Sequence, residues 1–168
     1  MDVPTIEPDE IFTRLIWDVT DIQNGVYQSS VIATKELNGR ADAWSVDRHR
    51  LIQRSVVEAR DINRRTRNPG LNIPLLATIT YQQVLSVADA VGRPALDVRP
   101  DPTKADAMQN LPANPAHALV YSRKTCGDAA AKQLRRRLLE LLAPPKTLDQ
   151  YFQEAPVNPS DPGPASAS

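Results

Sequence analysis

His117 stands at the mouth of an apolar run, Asn114-Pro115-Ala116-His117-Ala118-Leu119-Val120-Tyr121, and is one of only two histidines in the chain. Imidazole changes charge near neutrality, which makes the residue a candidate general base or ligand. Its prospective companions are Ser29 and Ser30, candidate nucleophiles or phosphate contacts, and Asp101, a candidate base placed before Pro102. Held together in one pocket, His117 with Ser29, Ser30 or Asp101 would make a small hydrolase or transferase. Each residue also has a plainer role. A histidine at a loop-to-strand junction commonly bonds a backbone carbonyl, a serine pair satisfies loop or edge backbone groups, and an aspartate before proline forms a turn.

Other reaction classes lack their residues. There is no G-x-S-x-G elbow, and the six glycines include no G-x-G or phosphate-loop arrangement. Two histidines with scattered carboxylates give no zinc spacing, so no metal and no cofactor is expected. Cys126 is the only cysteine, which excludes an intrachain disulfide. It is expected to be a partly buried residue at a helix start, with a reactive thiol as the alternative.

Net charge is zero, but the charges are segregated. Residues 1–42 carry eight acidic against three basic side chains, and residues 47–67 carry seven arginines against three acidic residues. Arginine's planar fork suits carboxylate or phosphate. Arg48, Arg54, Arg60, Arg64 and Arg65 are therefore candidate binding residues for nucleic acid, or for the acidic portion of this chain or of a partner. No aromatic or glycine residues interleave with them as they do on RNA-binding surfaces, which favours pairing with protein.

A second candidate surface lies near the C-terminus. Lys146-Thr147-Leu148-Asp149-Gln150-Tyr151-Phe152 follows Pro144-Pro145 and offers Leu148, Tyr151 and Phe152 as apolar anchors. Their spacing resembles the short peptide by which replication and repair proteins dock on sliding clamps, with Pro145 in place of that motif's glutamine. A groove on a partner or a fold-back onto the same domain would each cover them. Residues 153–168, rich in Pro, Ser, Ala and Asn, are expected to be disordered.

The elements that must position these residues follow from periodicity. Ile11–Trp17 and Val26–Ile32 are short segments rich in β-branched and aromatic residues with a turn at Asn24-Gly25 between them, and suggest an antiparallel pair or a strand followed by an irregular loop. Residues 47–66 read as an amphipathic helix with a basic outer face, carrying His49 on its surface and ending at Asn68-Pro69-Gly70. Leu75–Ile79 is a strand running into a helix that Thr80 and Gln83 box at its start and that continues to Val91, before Gly92 and Pro94. Ala95–Arg99 returns as a strand. Residues 100–116 form a proline-rich loop, with Pro100, Pro102, Pro112 and Pro115 holding it extended. His117–Ser122 is the next strand, and a capping pattern at Thr125–Asp128 opens an amphipathic helix over 129–142.

The size, 168 residues with 41% hydrophobic and 24% charged side chains, fits one globular domain. No apolar run approaches the roughly 20 residues that span a bilayer, and the N-terminus has no signal-like core, so a cytoplasmic protein without membrane contact is expected. The domain layout expected is a flexible 1–9, an α+β domain over 10–142 with a mixed or mainly antiparallel sheet, and a tail over 143–168.

Ser29-Ser30, Trp44-Ser45-Val46-Asp47-Arg48, Leu76-Ala77-Thr78-Ile79-Thr80, Asp101-Pro102 and Asn114-Pro115-Ala116-His117-Ala118 stand in an order that resembles a widespread family of small bacterial proteins of uncharacterised function. The likeness spans about residues 12–142. Where that family usually has Ser-Ser-x-Phe, this chain has Ile32 or Ala33. The resemblance implies a compact bacterial α+β domain and transfers no mechanism. The function expected is that of a non-enzymatic interaction or accessory protein of a bacterial operon, defence- or toxin-linked. It would recognise a protein partner, encoded nearby, through the arginine helix and the tail. A His117 enzyme and a nucleic-acid-binding protein are the alternatives.

Overall fold

The sheet forms because five short apolar segments each bury one or both faces. In the computed structural model, which describes residues 2–154, they are β1 (Ile11–Ile16), β4 (Trp44–Arg48), β5 (Leu75–Thr80), β6 (Leu96–Pro100) and β7 (His117–Ser122). Their order is β5-β1-β4-β7-β6, with every neighbour antiparallel. The other elements are β2 (Ile22–Gln23), β3 (Val26–Tyr27), α1 (Arg54–Arg67), α2 (Tyr81–Ser86), α3 (Asp128–Leu141) and α4 (Leu148–Glu154). The protein is a single α+β domain.

Two apolar clusters sandwich the sheet. On one face Phe12, Trp44, Val46, Ala77 and Val120 pack with Val84 of α2 and Leu138 of α3. On the other, Leu15 and Leu76 pack with Val57 of α1 and Tyr151 of α4. The split follows the strand period of two, since register partners Leu15 and Leu76 point the same way.

Several expectations are corrected by these pairings. Asp47 and Arg48 do not open the arginine helix but end the middle strand of the sheet, Trp44–Arg48, and the helix begins only at Arg54. Alternation at 44–48 is masked in the sequence because both charged residues at its end, Asp47 and Arg48, are buried and paired. Residues 11–17 and 26–32 do not pair; β1 lies between β4 and β5. Asn24-Gly25, both with positive φ, instead close the small β2–β3 hairpin, and residues 29–31 form a 3-10 turn. The Thr80–Gln83 box is present in both directions, at 3.1 and 2.9 Å, but its helix stops at Ser86. A tight turn follows, in which Asp89 accepts from the N–H groups of Val91 and Arg93. At α3 the cap is Gly127, without a side-chain bond; the Thr125 hydroxyl donates to the Gly39 carbonyl.

Both ends of the described residues are tied to the sheet. The Arg48 guanidinium, wholly buried, pairs with Glu10 and donates to the carbonyls of Pro4 and Thr5, so the segment expected to be a flexible 1–9 is anchored from Pro4 onward. After α3 the chain returns to the sheet at Lys146, which exchanges backbone bonds with Leu76 at 2.8 and 2.9 Å. The expected tail is therefore an added element, capped by Thr147 and ending in α4. The disorder expected for 153–168 falls mostly on residues outside those described; Gln153 and Glu154 belong to α4. No helix among the described residues is long and apolar enough to cross a membrane.

Candidate functional site: a polar row and an arginine-lined cleft

On the α1 face, register partners run in a line across the whole sheet: Thr78 with Thr13, Thr13 with Asp47, and Asp47 with His117. Asp101 completes the row, donating its N–H to the His117 carbonyl at 2.9 Å. The two buried polar side chains of the row, Thr13 and Asp47, need partners, because an unsatisfied buried group costs about 1–3 kcal/mol. Both have them. Asp47 accepts from Arg60 Nη1 and Asn114 Nδ2, each at 2.8 Å, and Thr13 Oγ1 lies 2.7 Å from the Tyr151 hydroxyl. The Tyr151 hydroxyl also meets His49 Nδ1. His49 is thus not a solvated helix residue. Burial, with the nearby Lys146 charge, pushes its pKa below the ordinary histidine value.

The same row decides which enzyme residues meet. His117 Nδ1 is 2.7 Å from the Asp101 carbonyl oxygen and 3.1 Å from its carboxylate Oδ2. An imidazole oriented in this way could act on a proton through its other nitrogen, but neither serine stands beside it. Ser30 Oγ donates to Asp21 in a cavity lined also by Arg14 and Arg64, while Ser29 lines another against α3 with Lys132 and Arg136. His117 lines neither cavity. The Ser29/Ser30 nucleophile paired with His117 is therefore not formed.

Most of the arginines expected to bind a partner are held within the chain. Arg48 is buried on Glu10, Arg60 pairs with Asp47, Arg65 grips both oxygens of Asp61, and Arg54 reaches Glu58 and Asp149 and lies over the Phe152 ring. These correct the expectation of a uniformly available basic face. Asp61 lies one turn before Arg65 and Glu58 one turn after Arg54, while the remaining carboxylates come from afar: Glu10 before β1, Asp47 of β4 and Asp149 of α4. The tail anchors are likewise occupied. Tyr151 is 2% exposed and Leu148 and Phe152 pack into the cluster under α1, so these three residues dock on their own domain rather than stand free.

The exceptions gather around Trp17. Its indole N–H donates to Asp61 at 3.2 Å, and the Arg64 guanidinium lies 4.4 Å over its ring. Beside it, β1 and β4 pair only at Phe12–Arg48 and Thr13–Asp47. Where they part, Arg14 Nη1 donates to the Ser45 carbonyl at 2.8 Å, with its guanidinium over Trp44. Burial lowers the Arg14 pKa, and the positive charges of Arg64 and Arg60 add to this against the opposing pull of Glu36 and Asp47. Arg14, Trp17, Arg64, Asp18, Asp21 and Ser30 line a cavity of about 300 Å³. A neighbouring one of about 370 Å³ shares Trp17, Arg64 and Leu71 and adds Arg67. Sequence reasoning missed Arg14 and Trp17, which sit in an apolar run and read as ordinary strand.

No family model, curated protein or solved structure matches this chain. Its function must be argued from this geometry. What the cleft offers chemically is fixed positive charge over an aromatic floor, suited to holding a carboxylate or phosphate. The Ser30 hydroxyl on its wall donates to Asp21 with no histidine in the lining, and among the described residues no group of His, Cys, Asp and Glu is disposed to hold a metal ion.

Proposed function

We propose that this protein is a non-enzymatic recognition module that holds an acidic segment of a protein partner in the cleft formed by Arg14, Trp17, Arg64 and Arg67. One observation carries the reading. Arg64 stacks on Trp17 beside Arg14, and among the described residues neither guanidinium has a carboxylate within ion-pair distance. Arginines gathered at one recess and bonded to no carboxylate favour an anionic occupant beside the Asp18 and Asp21 carboxylates of the same wall.

The surroundings support a protein over nucleic acid. Val19 and Ile73 are exposed at 61% and 63%, and Ile73 follows Asn72, whose N–H donates to the Trp17 carbonyl. Apolar side chains around tryptophan and arginine are the mixture found at the centres of protein interfaces. A nucleic-acid surface needs its cations free along a backbone, whereas Arg48, Arg54, Arg60 and Arg65 engage carboxylates of this chain.

Titration of the full chain with a labelled glutamate-rich peptide, and separately with single-stranded and duplex oligonucleotides of the same length, tests the reading. Saturable peptide binding that Arg64→Glu abolishes and His117→Ala leaves intact is expected. Oligonucleotide binding of equal strength with a steep salt dependence would replace the protein partner by nucleic acid. Absence of binding to either would remove the cleft as a recognition site.

A further inference from the structure

A larger cavity, about 440 Å³, lies apart from the arginine cleft, between the turn at 88–95, the end of β7 and α3. We propose that it binds a small organic anion with an apolar body, a carboxylate carrying a short alkyl or aryl group. Its walls are built from Ala88, Pro94, Ala95, Ala130 and Leu134, short or apolar side chains that leave room where longer ones would fill it. The volume falls within the range of about 300–1,000 Å³ usual for small-ligand sites.

The rim supplies the charge. Four cations border the cavity, and two are already committed: Arg123 pairs with Asp97 at 2.8 Å, and Arg137 donates to the Ala88 carbonyl at 2.9 Å. Arg93 and Lys124 have no side-chain hydrogen bond or ion pair among the described residues. The single carboxylate of the lining, Asp89, is turned into its own loop, where it accepts from the Val91 and Arg93 N–H groups at 2.9 and 3.0 Å. Those bonds hold it below the ordinary carboxylate range, the one from Arg93 most strongly, and the Lys124 and Arg93 charges act in the same direction. An apolar recess edged by two uncommitted cations fits a ligand whose body leaves water while its carboxylate stays at the rim. A bare inorganic anion would leave the apolar wall wet, and a neutral alkane would leave the cations unpaired.

Cys126, the only cysteine of the chain, stands on the wall and reports occupancy. Burial raises its pKa, so it serves as a slow, selective label site rather than a nucleophile. The experiment measures the rate of Cys126 alkylation by iodoacetamide in the full chain with octanoate, with inorganic phosphate and with octanol, alongside amide chemical-shift mapping of each titration. Octanoate is expected to slow alkylation at least fivefold and to shift amides of 88–95, 122–126 and 130–137. Phosphate and octanol should do neither at equal concentration. Arg93→Glu with Lys124→Glu, both surface changes, should remove the protection while the fold, followed by circular dichroism, is retained. No protection and no localised shift at millimolar octanoate overturns the proposal. So does protection that persists in the double variant, or that octanol produces equally.

Discussion

The hydroxyl of Tyr151 and Oγ1 of Thr13 lie 2.7 Å apart although 138 residues separate them in the chain. This contact joins α4 to β1 at the polar row of the sheet and turns a C-terminal segment that reads as a loose appendage into part of the core. The Tyr151 ring also meets His49 and Phe152 edge-on, at centroid distances of 5.1 and 4.9 Å. Burial of the phenol raises its pKa well above the ordinary tyrosine value.

Tyr151→Phe keeps the ring and strands two buried polar partners, so it is expected to destabilise the protein by about 1–3 kcal/mol. Tyr151→Ala adds a cavity and should cost about 3–5 kcal/mol. Chemical denaturation of the three proteins measures both. Equal stability of wild type and Tyr151→Ala would mean that α4 is not docked.

Stability should fall in acid in two steps. Burial alone would raise the Glu10 pKa, but the hydrogen bonds from Arg48 and from the Glu7 N–H, together with the Arg48 and Arg50 charges, outweigh it and set the value below the ordinary 4.5. A carboxylate depressed in this way contributes stability above its unfolded pKa and loses it as pH falls below 4.5 through the folded value. His49, depressed from 6.5 chiefly by burial, favours the folded state while neutral, and that contribution is lost as pH falls below 6.5. Denaturation curves between pH 8 and pH 3 should show both losses, with Glu10→Gln reducing the lower step, to which the depressed Asp89 and Asp18 also contribute, and His49→Asn removing the upper. Arg48→Ala, which leaves the buried Glu10 with only the half-exposed Arg50 at 3.4 Å as a cationic partner, is expected to cost about 3–5 kcal/mol at pH 7.

Gly39 joins the irregular 33–42 segment to the start of α3. Its φ is +75°, and a Cβ there would fall 2.5 Å from the Lys124 carbonyl oxygen. Backbone on backbone cannot give way easily, so Gly39→Ala should lower stability by more than the ~1–3 kcal/mol of an unfavourable φ alone. Gly25, also at +75° but with open space around it, provides the control: Gly25→Ala should cost less in a thermal melt.

His117→Ala removes the bond to the Asp101 carbonyl in the proline loop and should lower the melting point by the equivalent of about 1 kcal/mol. Peptide binding at the arginine cleft should not change. A loss of binding without loss of stability would move the site to the Asp101–His117 pair.

Strands β1, β5, β6 and β7, the Thr80 box and helix α3 were legible in the sequence because each has a clean local period or a capping signal. Strand β4 was not. Asp47 and Arg48 read as surface charges, and only long-range partners, Arg60, Asn114 and Glu10, make them core residues. The arginine run suggested a binding face, yet which arginines are free depends on where β4 and α4 place their carboxylates. Arg14 was invisible for the complementary reason. A lone arginine in the strand Ile11–Ile16 gives no signal until the parting of β1 from β4 exposes its guanidinium to the cleft.

The central claim, that the arginines around Trp17 that pair with no carboxylate form the recognition site, is tested most directly by amide hydrogen exchange of the full chain with and without a glutamate-rich peptide. Slower exchange confined to residues 14–21 and 60–73, and absent in Arg64→Glu, is the predicted result. Protection that falls instead on α3 and β7, or an exchange pattern the peptide leaves unchanged, would contradict it.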